Sequence, residues 1–156
     1  MLPTHTMQHV VDHLGSFYVQ SPAAVATEIE LASFRAWLGR QWRILPVPVQ
    51  VVPYDLNLSD ALQIYRQSGR LVISSASNNH PVLSWLENVQ FRAVHDWHHI
   101  VTGADDSLLG EMVTYQHARS TAPQSVWWIL RSEIVLQAAA FYYTGSYQPQ
   151  KLVRTA

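Results

Sequence analysis

Two histidines, His95 and His99, stand four residues apart in the segment FRAVHDWHHIVTGADDSLLGE, Phe91 to Glu111. On a helix that spacing puts them about 40° apart on one face, one turn above the other. Two imidazoles so placed can share a metal ion through Nε2 or Nδ1. Spacing alone decides little, because eight histidines in 156 residues give on the order of 0.4 such pairs by chance. Their company adds weight. Asn88, Arg92, His95, Asp96 and His99 fall on one polar stripe, flanked by Val89, Ala93, Trp97 and Ile100 on one side and by Phe91, Val94 and Val101 on the other. A solvated face is usually Lys and Glu with polar filler; this stripe holds ligand types and residues that orient ligands. The competing reading is a set of hydrogen-bonded histidines in an ordinary core.

Glu111 is the natural carboxylate partner. Its helix follows a Gly-bounded turn, so it can return antiparallel and carry Glu111 over the histidines, on a face shared with Leu108, Thr114, Tyr115 and Ala118. A half-buried carboxylate there wants a cation; the plain alternative is a first-turn glutamate favoured by the helix dipole. Glu133 is the second candidate. Its helix, SVWWILRSEIVLQAAAFYY, carries one other charged residue, Arg131, which lies about 160° round the wheel and cannot be a local partner. Glu133 therefore needs a metal, a histidine or an arginine such as Arg92. His80, before Pro81, either approaches the site or caps the next helix. His98 reads as a packing residue, His117 as a surface or packing residue, and His5, His9 and His13 as exposed on a loosely ordered N-terminus.

The elements that must position these groups read as a mainly α fold of four to five helices with a small two-stranded β element, a single metal-binding domain over 1–156 whose first 20 or so residues are loosely ordered. Ser21-Pro22 opens a predicted helix to about Trp42. Leu45–Pro53 suits an extended edge strand. Ser59 caps a helix over Asp60–Gln67, and Leu71–Ser75 forms the second strand. Three helices follow, Val82–Thr102, Ser107–Arg119 and Gln124–Tyr143, with Gly103 ending the first, Asp105-Asp106-Ser107 capping the second and Ala122-Pro123 preceding the third.

Composition narrows the chemistry. With no cysteine, disulfide scaffolds, thiolate zinc sites, iron–sulfur clusters and cysteine nucleophiles are excluded. A net charge of −1 provides no broad positive field, so no nucleic-acid partner is expected. Charged residues make up 13% of the chain, about half of the ~25% usual in globular domains. Together with six tryptophans, this points either to covered surface, through a homo-oligomer, a small apolar or lipid-like ligand, or peripheral membrane contact, or simply to a well-packed helical domain with unusual surface choices. No apolar run approaches the roughly 20 residues of a membrane span, and the N-terminus lacks a signal peptide's charged and apolar regions. A cytoplasmic protein is expected.

His95-Asp96-x-x-His99, then eleven residues, then Glu111 resembles the HD-x-x-H-x11-E signature of the coenzyme Q (ubiquinone) biosynthesis proteins, with Gly103 and Gly110 also in place. The resemblance implies a divalent-metal site at His95, Asp96, His99 and Glu111, and work on the aromatic head group of a lipid-tailed quinone precursor at a membrane. Asn79-His80-Pro81, ENVQFRAVHD, Gly110-Glu111 and Glu133-x-x-x-Gln137 are also similar to uncharacterised phage and mobile-element proteins. That likeness places Asn79-His80-Pro81 and Glu133 in a shared core and implies no activity.

Taken together, the expected ligands of a divalent metal are His95, Asp96, His99, Glu111 and Glu133, with zinc first and iron or manganese as alternatives. Asp96 or Glu133 would orient a ligand or serve as general base, and Trp97, Trp127 and Trp128 would wall a pocket for an apolar, aromatic or isoprenoid substrate. The reaction class is open among lyase, hydrolase and oxidoreductase. The alternative function is a non-catalytic helical binding or assembly module stapled by the metal. Zinc proteases place a Glu where Asp96 stands, and HD-type phosphohydrolases need an aspartate after Asp106 that this chain lacks, so both fit worse.

Overall fold

Caps write the helix boundaries nearest the candidate residues. Ser84 accepts from the Glu87 amide while the Glu87 side chain accepts from the Ser84 amide, a reciprocal capping box that opens α4 (Trp85–Thr102). Gly103, in the left-handed region at φ 67°, closes it. Ser107 opens α5 (Leu108–Thr121) by accepting from the Gly110 amide. Both helices lie where the sequence reading puts them, within a few residues.

The computed structural model describes residues 4–154; the other five residues of the 1–156 domain reading lie outside the described residues. Before α4 come α1 (Thr4–Gln20), α2 (Glu28–Arg43), β1 (Val49–Val52), α3 (Leu58–Ser68) and β2 (Leu71–Ser74). After α5 and a short 3₁₀ turn (Gln124–Val126), one helical run comprises α6 (Trp127–Arg131), a π-helical turn (Ser132–Leu136) and α7 (Gln137–Thr144). The fold is mainly α with a two-stranded sheet, as expected. The strands pair in parallel, Val49 opposite Leu71 through Val52 opposite Ser74, and α3 makes the crossover that parallel pairing requires.

Several boundaries differ from the sequence reading. Asn57, not Ser59, caps α3 by accepting from the Asp60 amide, and β1 is confined to Val49–Val52 within the expected Leu45–Pro53. Thr4–Gln20, read as loosely ordered, is a 17-residue helix. It is held by its apolar edge, Met7, Val11, Leu14 and Tyr18, and it docks on α7 so closely that a Cβ at Gly15 would meet the Ala139 carbonyl oxygen at 2.7 Å. Ser21 and Pro22 end that helix instead of opening the next one, and α2 begins at a capping box formed by Thr27 and Glu30. The single predicted C-terminal helix is interrupted by the π turn.

Both apolar flanks of α4 are buried, which is why its polar stripe is confined between them. Phe91 and Val94 join Phe34, Trp37 and Leu38 of α2, Leu108 and Ala118 of α5, and Ile129, Leu130, Ile134 and Val135 of the last helical run. Val89 and Ala93 pack on Leu71 and Ile73 of β2. Each such burial contributes roughly 1.5–3 kcal/mol for a Val, Leu, Ile or Phe, so α4 is pinned from two sides and its stripe cannot rotate away. Val101 is the exception to the expected flank, standing 48% exposed. Among the described residues, no helix is long and apolar enough to cross a membrane.

Candidate metal centre

His95 and His99 on α4 face Glu111 in the first turn of α5. His95 Nε2 lies 3.0 Å from Glu111 Oε2, His99 Nε2 lies 3.4 Å from Oε1, and the two Nε2 atoms are 3.2 Å apart. Among the described residues, these three form the one group of three or more potential ligands whose donor atoms converge. Zinc–nitrogen bonds of about 2.0–2.1 Å at tetrahedral angles separate ligand atoms by roughly 3.3–3.4 Å, close to this triangle. The centre is thinly covered, with side-chain exposures of 19% for His95, 0% for His99 and 12% for Glu111.

The surroundings prepare each donor. Gly103 reverses the chain, so the Ala104 carbonyl returns over α4 and accepts from His99 Nδ1 at 3.0 Å. A carbonyl only accepts, so Nδ1 carries the proton and the Nε2 lone pair of the neutral ring faces its neighbours. Phe91 stacks on His95 with ring planes 4° apart and fixes its ring plane. His95 Nδ1 and Glu111 Oε2 are buried with no hydrogen-bond partner; the 3.0 Å approach of His95 to Glu111 brings opposite charges together without hydrogen-bond alignment. Gly110 explains itself here, because a Cβ would collide with the Asp105 backbone oxygen and sit 2.7 Å from its Oδ1. Only glycine lets the loop press on α5 beside Glu111.

Electrostatics follow from this geometry. Burial would raise the Glu111 carboxyl, but His95 and His99 outweigh it and hold it at about 2. Burial pulls His95 down, yet Glu111 leaves it raised overall. Asp96 is pushed up to about 6 by burial, against the pull of both histidines. Burial, with His117 behind it, lowers His98 to about 3. Burial lowers the pKa of Arg92, with Asp96 and Glu133 among the acids that act against that.

The five expected ligands divide. His95, His99 and Glu111 come together; Asp96 and Glu133 lie outside the donor cluster, although the charges of both act on His95. Asp96 makes no side-chain hydrogen bond or ion pair among the described residues. Glu133 Oε1 lies 2.8 Å from His80 Nε2 and its Oε2 accepts from Gln137 Nε2 at 3.2 Å. Its partner is thus His80, whose spacing of 53 residues left no local signal. Arg92 donates to the carbonyls of Ser74, Ala76 and Ser77 instead. His98, buried against Trp37 and His117 and 3.4 Å from Gln41 Oε1, is a packing residue as expected.

The ring contacts and side-chain hydrogen bonds of Trp97, Trp127 and Trp128 are with residues outside the three-donor cluster. Trp97 packs edge-on to Tyr65. Trp127 donates to the Ala122 carbonyl under Arg119, and Trp128 donates to Glu30 under Arg154. Two shallow grooves, of about 340 and 330 Å³, run along β1, lined by Pro48, Val49, Gln50 and Arg70 and by Trp42, Arg43, Leu45, Val47 and Val49. Neither includes a residue of the centre. Compared with protein-family models, curated proteins and solved structures, the chain has no significant match.

Proposed function

We propose that this chain binds one divalent cation through His95 Nε2, His99 Nε2 and the Glu111 carboxylate and uses it in a metal-assisted reaction. The observation that carries the reading is the convergence of three donors, one of them a buried carboxylate oxygen with no hydrogen bond. A metal held there would supply Lewis-acid polarisation of a bound oxygen. Three protein ligands leave a coordination position open, as catalytic sites do, whereas structural zinc sites close with four. Zinc fits the nitrogen-rich donor set first, and two histidines with one carboxylate also suit iron or manganese.

Within this proposal the chain's residues divide the work. Ala104 and Phe91 hold the two imidazoles in place. Asp96, next to His95 and committed to no partner among the described residues, is the group available to take or give a proton. The likeness of His95-Asp96-x-x-His99-x11-Glu111 to the coenzyme Q biosynthesis signature supports an apolar, aromatic or isoprenoid substrate. Low charge content and exposed Val25 and Ile29 support homo-oligomer formation or peripheral membrane contact, in a cytoplasmic setting.

Cobalt substitution tests the open position. The visible spectrum of the cobalt-loaded protein should shift when azide or acetate is added, because an exchangeable position accepts them. A cobalt spectrum unaltered by either anion would mark a closed, structural staple and reject the catalytic reading.

A further inference from the structure

Glu133 occupies the second position of the π-helical turn Ser132–Leu136, and such turns recur at functional sites. Its side chain is 3% exposed and that of its partner His80 is 1% exposed. His80 Nδ1 accepts from the amides of Val82 at 3.0 Å and Leu83 at 2.9 Å. That nitrogen has no proton, so the ring is the neutral Nε2–H form and donates to Glu133 Oε1. Gln137 donates to Oε2. Both carboxylate oxygens are therefore held by neutral donors. Among the described residues, Arg35 and Arg154 are the arginines paired with acids, and their partners are Glu87 and Glu30.

A buried carboxylate with no cation in direct contact is costly, and buried charges are paired or held near metals; Arg92, whose charge acts on Glu133, spends its donors on the carbonyls of Ser74, Ala76 and Ser77. The π turn packs against α5, the helix that carries Glu111. A dication bound by two neutral imidazoles and one carboxylate keeps one net positive charge. We propose that Glu133, oriented by His80 and Gln137, is a positioning residue that sets the metal affinity of the His95–His99–Glu111 centre through its charge, without ligating the ion. The proposal rests on the metal reading above.

Zinc affinity, measured by chelator competition on wild type, Glu133→Gln and Glu133→Asp, tests it, with melting of the metal-free proteins as the second readout. Glutamine keeps the size and an acceptor oxygen but loses the charge; aspartate keeps the charge but is one methylene short of His80. Glu133→Gln should bind zinc about 10–100-fold more weakly while its metal-free form melts no lower than wild type. Glu133→Asp should stay within a few-fold of wild type. Unchanged affinity in Glu133→Gln, or a larger loss in Glu133→Asp than in Glu133→Gln, overturns the proposal. If Glu133→Gln fails to fold, Glu133→Asp decides alone, a loss beyond tenfold counting against the charge role. Wild type that takes up no zinc would instead overturn the metal reading itself, and this proposal with it.

Discussion

Glu111→Gln removes the one carboxylate of the donor cluster and its charge while keeping its volume. Free metal at 100 times Kd stabilises a folded protein by about 2.7 kcal/mol. For a chain of this size each kcal/mol moves Tm by about 2–4 °C, so wild type should melt about 5–11 °C higher with metal. Losing a ligand should cost at least the roughly 100-fold upper range of losing a residue that supports a ligand. At the same free metal the variant would then be near half-saturation, gaining about 0.4 kcal/mol and on the order of 1 °C. A separate effect applies without metal. The Glu111 carboxyl stands at about 2 instead of 4.5, and each unit corresponds to about 1.4 kcal/mol. Because that interaction is shared with His95, the metal-free variant should lose about 1–3 kcal/mol at neutral pH. The sign is that of a depressed acid: the contribution is present above pH 4.5 and lost as pH falls through about 2. Far-UV circular dichroism melts in chelator and in buffered zinc separate the two effects. A metal-dependent rise in Glu111→Gln equal to that of wild type would refute the assignment of Glu111 as a ligand.

Three further outcomes are expected. His98, lowered from 6.5 to about 3 by burial, stays neutral in the fold and takes up a proton on unfolding. Its contribution is present above pH 6.5 and is lost as pH falls toward 3. Urea midpoints of the metal-free protein should fall across that window, and His98→Gln should flatten the slope. Gly110→Ala should cost about 1–3 kcal/mol and shrink the metal-dependent rise in Tm, because the Asp105 turn must yield beside Glu111; unchanged melts in both conditions would deny that close approach. Gly15→Ala should cost a similar 1–3 kcal/mol by forcing α1 off α7, read as a lower urea midpoint with the zinc affinity unaltered.

Much of the centre is legible in the sequence because it is local. His95 and His99 are fixed by helical period, Gly103 and Ser107 by cap chemistry, and Glu111 by a short loop that leaves α5 few ways to return. What is not legible depends on distant partners. The His80–Glu133 contact joins residues 53 apart, and its tautomer depends on the Val82 and Leu83 amides. The π turn inserts its extra residue into a helix whose apolar pattern reads as regular. Ser21-Pro22 carries a helix-start signal that loses to the capping box at Thr27, because Ser21 still bonds back to Phe17 at the end of α1. For α1 itself the signal is present. Met7, Val11, Leu14 and Tyr18 follow helical spacing, while the exposed histidines on the other side suggest disorder. The partners of Trp97, Trp127 and Trp128 are not legible either, because a tryptophan's size shows that it is covered but not by what.

Elemental analysis of untagged wild-type protein beside His95→Ala/His99→Ala tests the centre most directly, with loading from zinc, iron or manganese solutions. The expected result is about one equivalent of metal in wild type, absent from the double variant. Equal metal content in the two proteins, or none in wild type after reconstitution with each ion, would contradict the metal centre and leave His95, His99 and Glu111 as a buried ion-paired cluster.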